Sequence, residues 1–325
     1  MVCMGLAILF AWGAVLVMSV GSAALVYTML HPKRKTYAHA LACGVPGDPG
    51  EMGWAAREIS YDFPDGTSSP AWLIEGENPV GPVVVFIHGW SSSRVMALSR
   101  VAPVVKDASQ IVVYDLRGHG ESTAPRCHMA KTEVDDLLTI INQIECRDEM
   151  GTGKRPLVLF GISMGAVIAI GAASCDTKCQ IAGVIAESPY RTVIEPIVGH
   201  LRRRGLVPYP FAWIGWLAVA CFRGDRRAFD RVMRAARMNA PLLVLHGTLD
   251  PLSRFESGQK IAHAAGAGTF VSFEGGGHGD LVSVDSQKYF KAIRDFLVGL
   301  TSRNMSSVCA ATIQESVACE PVAPI

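Results

Sequence analysis

The chain has 325 residues, half of them hydrophobic, with 30 Lys and Arg against 29 Asp and Glu and a formal net charge of +1. That length accommodates one large domain or two small ones, and the near-zero balance excludes a nucleic-acid binder held by bulk charge. A mean hydropathy of +0.27 is high for a protein without a membrane segment, so such a segment is sought first.

It lies in the first thirty residues. Val2 to Leu30 contains no charged residue, and the stretch is longer than the ~20 residues that span a bilayer core. A secretory signal carries a basic n-region and an apolar stretch of only about 7–15 residues; here no Lys or Arg precedes Lys33. Residues 1–32 therefore read as an uncleaved transmembrane anchor of a single-pass protein. Lys33, Arg34 and Lys35 follow at once, and the positive-inside rule places everything after them on the cytoplasmic side. The nine cysteines are odd in number and lack the spacing of a disulfide framework or a zinc site, which fits free thiols. Residues 33–55 carry Gly and Pro without periodicity and read as a linker.

From Ala56 the pattern changes. Arg57–Tyr61 and Ala71–Ile74 flank Asp65-Gly66, a turn signal between two strands. Short apolar runs then recur at Val83–Ile87, Ile111–Tyr114, Leu157–Phe160, Ile181–Ala186, Leu242–His246 and Thr269–Phe273. Helical candidates at about 94–106, 131–147, 164–175, 254–265 and 285–299 alternate with them. Strands buried on both faces read as continuous apolar runs, and helices supply the crossovers that parallel pairing requires. The expectation is an α/β domain over residues 56–300: a mostly parallel open sheet with helices on both faces, opened by an antiparallel hairpin. Residues 301–325 lack periodicity and read as a disordered tail.

One segment interrupts the alternation. Residues 188–240 are too long for a simple crossover and carry ten arginines against Glu195, Asp225 and Asp230. Between Arg204 and Arg223 lies a charge-free run, Val207 to Phe222. Two readings stand. The segment is a cap helix packed on the core with a solvated basic face, or an interfacial lid with its apolar face in lipid and an Arg rim on anionic headgroups. Two prolines leave too few helical residues for a second span.

Gly161-Ile162-Ser163-Met164-Gly165 carries the chemistry. It joins an apolar strand to a small-residue helical run, the strand–turn–helix context in which Gly-x-Ser-x-Gly becomes a nucleophile elbow. A serine hydroxyl is a weak nucleophile and needs an adjacent base, which in turn needs an orienting acid. Asp250 lies just past one strand and His278, in Gly275-Gly276-Gly277-His278-Gly279, just past the last. Catalytic groups of open α/β sheets gather outside the carboxyl ends of the strands, so Ser163, Asp250 and His278 project toward one edge. Acyl transfer also needs donors for the developing oxyanion. The backbone N–H of Met164 is one candidate and that of Trp90, in the loop after Val83–Ile87, the other; His88 before that loop reads as a structural hydrogen-bonding residue.

Taken together, Phe86-Ile87-His88-Gly89-Trp90, Tyr114-Asp115-Leu116-Arg117-Gly118-His119-Gly120-Glu121-Ser122, the serine turn, His246-Gly247-Thr248-Leu249-Asp250 and Gly277-His278 resemble the α/β-hydrolase superfamily. The likeness is to its serine-hydrolase branch of monoacylglycerol lipase-like and membrane-anchored esterases, and it runs from about residue 57 to 299. The resemblance implies the α/β-hydrolase fold with a short cap insertion, a Ser163–His278–Asp250 triad, and structural roles for Asp115, Arg117 and His119. It also implies independence of any metal or cofactor. The expected activity is hydrolysis of a carboxylic ester of a lipid or another apolar acyl compound through an acyl-enzyme. A thioesterase or serine peptidase with the same triad is the alternative, and a non-catalytic scaffold the more distant one. Expected partners are the small-molecule ester and membrane lipid, the latter through the N-terminal helix and the basic cap, and no nucleic acid.

Overall fold

The computed structural model describes residues 2–146, 155–223 and 230–300; the tail expected over 301–325 lies outside them. Eight strands form one sheet in the order β1-β2-β4-β3-β5-β6-β7-β8. They are β1 (Ala56–Asp62), β2 (Ser68–Glu75), β3 (Val83–Ile87), β4 (Gln110–Tyr114), β5 (Leu157–Ile162), β6 (Ile181–Glu187), β7 (Leu242–Gly247) and β8 (Gly268–Phe273). β1 and β2 pair antiparallel, as do β2 and β4. All remaining pairs are parallel. The hairpin turns at Gly66, whose φ of +79° suits a residue without a Cβ.

The central strands are buried on both faces because helices cover both. In β3, Val83, Val85 and Ile87 point into one core and Val84 and Phe86 into the other, the period-two alternation of a pleated strand. The first core is closed by α4 (Thr132–Cys146), α5 (Met164–Ala173) and α9 (Phe255–Ala264), through Leu137, Ile140, Val167, Ile168 and Ile261. The second is closed by α3 (Arg94–Val105) and a C-terminal helix, α11 (286–300), through Leu98, Val101, Tyr289, Ile293 and Leu297. A short α10 (Leu281–Val284) precedes α11. The chain runs from β3 to β4 on one side and then back across β3 to β5 on the other. That reversal opens a crevice at the carboxyl ends of β3 and β5, the place where open α/β sheets bind ligands.

Two parts of the chain differ from expectation. Residues 33–55 are not a free tether. They hold α2 (Tyr37–Cys43), whose Ala40 is fully buried in the second core, and a short 3-10 turn, Pro49–Met52, capped by Asp48. Both elements are too short to show a hydrophobic period in sequence. The second difference concerns α1 (Val2–Leu30). Its stretch Leu9–Leu30 is long and apolar enough to cross a membrane, yet its last turns dock on the rest of the protein. Cys127 N–H donates to the Leu30 carbonyl at 2.8 Å. The Arg34 guanidinium donates to the Ser122 and Ala124 carbonyls at 2.6 and 2.5 Å.

The cap between β6 and β7 comprises α6 (Ile194–Arg203), α7 (Phe211–Arg223) and α8 (Arg231–Ala235). α7 packs along α1: the Phe211 ring lies against Gly21, and Gly215 faces Leu25 and Met29. Residues 224–229, with Arg226 and Arg227, lie outside the described residues; among those described, the arginines of this segment do not form one solvated face. Arg231 is buried against the Tyr190 ring, Arg191 pairs with Asp230 at 2.6 Å, and Arg202, Arg203 and Arg204 are exposed.

Candidate active site

The turn from β5 into α5 holds Ser163 at φ +55° and ψ −113°, a conformation that costs a non-glycine residue about 1–3 kcal/mol and persists only where its surroundings impose it. Two contacts impose it. Ser163 N–H donates to the Glu187 carbonyl at the end of β6, 2.8 Å away, and the Ser163 carbonyl accepts from Val167 N–H in the first turn of α5 at 3.1 Å. Flanking glycines let backbone pass close: a Cβ on Gly161 would run into the Gly165 carbonyl, and one on Gly165 into that of Ile87.

Asp250 follows β7 and has a fully buried side chain. Its Oδ1 accepts from the backbone N–H groups of Leu252 and Ser253 at 2.8 and 2.9 Å. Burial pushes its carboxyl pKa upward, but hydrogen bonds from His278, Ser253 and Leu252 outweigh it and hold the pKa below the ordinary carboxylate value. Asp250 is therefore an ionised acceptor, and His278 Nδ1, 2.8 Å from its Oδ2, carries the proton of that bond. The other ring nitrogen, Nε2, is left to accept from the Ser163 hydroxyl at 2.9 Å. The loops bearing the acid and the imidazole are joined through Leu249 N–H to the Gly276 carbonyl at 2.8 Å. The three residues expected to meet thus form one hydrogen-bonded chain across three separate loops.

The two expected oxyanion donors also flank Ser163. Met164 opens α5, where the first N–H groups have no intrahelical acceptor. The Trp90 loop runs beside the serine: a Cβ on Gly89 would sit 3.4 Å from Ser163 Cβ. His88 lies beside Ser163 but has both ring nitrogens engaged elsewhere. Its Nε2 accepts from Leu116 N–H at 3.0 Å, which assigns the proton to Nδ1 and the 2.8 Å bond there to the Gly89 carbonyl. Burial, with His119 nearby, lowers its pKa to about 3. Asp115 accepts from the N–H groups of Arg94 and Glu121, and Arg117 forks onto Asp136 at 2.8 and 2.9 Å. All of these brace the loop after β4, and none hydrogen-bonds the serine.

Two residues at the site escape motif reading. Glu187 ends β6 with a fully buried carboxylate; Arg100 of α3 pairs with it at 2.5 Å, and the Tyr289 hydroxyl donates to its other oxygen at 2.5 Å. The Arg100 guanidinium also donates to the carbonyl of Gly279, next to His278. A carboxylate directly after an apolar strand run was the available signal for Glu187. Arg100 stands in an amphipathic helix like any surface arginine and gives none.

Ser163 and His278 open onto a cavity of about 290 Å³, walled by the Trp90 loop, α3, α6 and the end of α1. Its wall is largely apolar, with Ile162, Ile197, Leu201 and Leu252 beside the two polar residues. Burial, followed by the charge of Arg204, lowers the pKa of His200 in this wall to about 4, so its imidazole is neutral at physiological pH.

Residues 84–292 match the family model described as the alpha/beta hydrolase family. Among curated proteins, the chain is 26% identical over 191 residues to lysophosphatidylserine lipase ABHD12 of Rattus norvegicus, covering 57% of this chain and 45% of that protein. It is 24% identical over 190 residues to protein ABHD12B of Homo sapiens, covering 57% and 50%. The chain thus spans about half the length of the curated relatives it matches. Among solved structures, the Pyrococcus furiosus esterase Pf2001 aligns with a TM-score of 0.66 at 18% identity, over 83% of this chain and 97% of its own. A membrane phospholipase A described as a bacterial virulence factor aligns with a TM-score of 0.57 at 18% identity, over 92% and 98%. At these identities the two structures share the fold.

Proposed function

Because the chain belongs to the alpha/beta hydrolase family, we propose that it is a membrane-anchored serine hydrolase cleaving a carboxylic ester of a lipid-like or other apolar acyl compound. The observation that carries this reading is the continuous hydrogen-bonded chain Ser163–His278–Asp250, with steps of 2.9 and 2.8 Å, opening onto an apolar cavity. Ser163 Oγ attacks the acyl carbon while its proton passes to His278 Nε2. Asp250 keeps the imidazole in the tautomer that accepts there and stabilises the imidazolium that forms. The N–H groups of Trp90 and Met164 take the developing oxyanion. The C–O bond then breaks and the leaving alkoxide takes the proton from His278; a water next attacks the acyl carbon while the same imidazole takes its proton, and that proton passes to Ser163 Oγ as the acyl–Oγ bond breaks and the acid leaves. Similarity to proteins named as lipases and esterases supports an ester as the bond cleaved.

α1 anchors the enzyme, and the positive-inside rule places the catalytic domain on the cytoplasmic side. Lys33, Arg34 and Lys35 carry that signal, and Arg34 keeps its charge while it donates to the Ser122 and Ala124 carbonyls. Activity-based labelling of the full chain tests the chemistry. A fluorophosphonate should label Ser163, and Ser163→Ala should lose both the label and hydrolysis of p-nitrophenyl esters. Undiminished hydrolysis in that variant would sink the assignment.

A further inference from the structure

The cavity beside Ser163 is completed by α1. Leu25, Thr28 and Met29, from its last two turns, line the same space as Ser163 and His278. We propose that this end of α1 is a wall of the acyl-binding pocket, and that Leu25 and Met29 help to set which acyl chains are accepted. The inference rests on the reading of Ser163 as nucleophile and of an ester as substrate.

A helix that served only to anchor would need no fixed register against the catalytic domain, and α1 has one. The Trp90 indole donates to the Met29 carbonyl at 3.1 Å, so the loop beside the nucleophile is tied to the helix. Met29 itself is buried, 6% exposed. Close packing at Gly21 and Gly215 lets α7 lie along the same stretch, where a side chain at Gly21 would meet the Phe211 ring. Docking falls on the last third of α1. Val2 to Val20 spans about 28 Å at ~1.5 Å per residue, close to the ~30 Å of a hydrocarbon core. The docked residues 21–30 are thus not needed to reach across the core, although they belong to the apolar stretch Leu9–Leu30. The exposed surface beside them is mixed, with Leu206, Val207 and Trp213 next to Arg203 and Arg204, as an interfacial surface requires. At about 290 Å³ the cavity lies at the lower end of the ~300–1,000 Å³ typical of ligand pockets, so one larger side chain in its wall changes what fits.

The test uses the full chain in detergent and the ratio of kcat/KM for p-nitrophenyl laurate to that for the butyrate. Leu25→Trp should lower that ratio at least about tenfold, the scale on which a hydrophobic pocket reads small changes of fit. Leu16→Ala, on the exposed part of α1, should leave it unchanged. Fluorophosphonate labelling of each variant reports an intact nucleophile, and Leu25→Phe supplies a smaller filling should the Trp variant fail to label. A labelled Leu25 variant with the parental ratio would overturn the wall, while leaving the hydrolase intact. Loss of the hydrolase reading would show differently, as an unlabelled parent or an active Ser163→Ala.

Discussion

Arg100 grips Glu187 at 2.5 Å, and the pair ties the turn of Ser163, the proposed nucleophile, to the loop of His278, the proposed base. The Glu187 carbonyl accepts from Ser163 N–H, while the same arginine donates to the carbonyl of Gly279 beside His278. A buried carboxylate with one cation and one hydroxyl partner thus holds two loops whose relative placement the chemistry needs to within a fraction of an ångström.

Removing that cation exposes the arrangement. Arg100→Met leaves the Glu187 carboxylate buried without its counter-charge, a change that costs about 3–5 kcal/mol. Tyr289→Phe removes only one hydrogen bond to it and should cost about 1–3 kcal/mol. Thermal unfolding in detergent ranks the three proteins. Arg100→Lys should regain part of the stability but not kcat, because an ammonium cannot fork between Glu187 and the Gly279 carbonyl. An Arg100→Met protein that melts with the parent would remove Glu187 from this account.

Asp250 supplies the pH dependence. Its folded pKa is lowered, so its ionised form adds stability above the ordinary carboxylate pKa of ~3.9. That increment disappears as pH falls through the lower folded value. Asp250→Asn never has the carboxylate. The stability gap between parent and variant should therefore be full above about pH 4 and close on further acidification. Unfolding midpoints measured across that range check the sign, and a gap that widened in acid would contradict it. At neutral pH the variant should also lose about 10⁴-fold in kcat, because Asn favours the wrong imidazole tautomer.

Much of this is legible in the sequence. The runs at Val83–Ile87 and Leu157–Phe160 announced central strands because both their faces are buried, and five of the expected helices appear within two residues of their expected ends, with α11 at 286–300. Ser163, Asp250 and His278 each follow a strand and converge through the topology alone. What stayed hidden depends on packing between distant segments. An apolar helix reads the same whether lipid or protein covers it, so nothing in Leu25 or Met29 reveals a cavity. The capped turn at Asp48 and the buried Ala40 are likewise local features too short for periodicity.

Trp90 connects the helix to the proposed oxyanion loop through its side chain, while its backbone N–H is the proposed donor. Trp90→Phe keeps the N–H and removes the 3.1 Å bond to the Met29 carbonyl. A lost neutral hydrogen bond corresponds to about 0.5–1.5 kcal/mol. The expected result is therefore a fall in kcat/KM of up to about tenfold, with fluorophosphonate labelling retained but slowed. Unaltered kinetics would mean that the loop holds its place without α1.

The elbow offers the sharpest contrast between two glycines. A Cβ on Gly161 would overlap the Gly165 carbonyl, a backbone atom that cannot step aside without moving the first turn of α5 and with it Ser163. Overpacking of this kind costs about 1–3 kcal/mol or more, and here the displaced atoms belong to the turn that holds Ser163. Gly299, in α11, has open space where its Cβ would be, and a helical Gly→Ala change there should stabilise by about 0.4–1 kcal/mol. Gly161→Ala should lower the melting temperature and abolish labelling of Ser163 together, whereas Gly299→Ala should raise the one and leave the other alone. Normal labelling of Gly161→Ala would mean that the turn tolerates displacement, and that its strained serine is held by the Glu187 carbonyl rather than by the close passage of the two backbones.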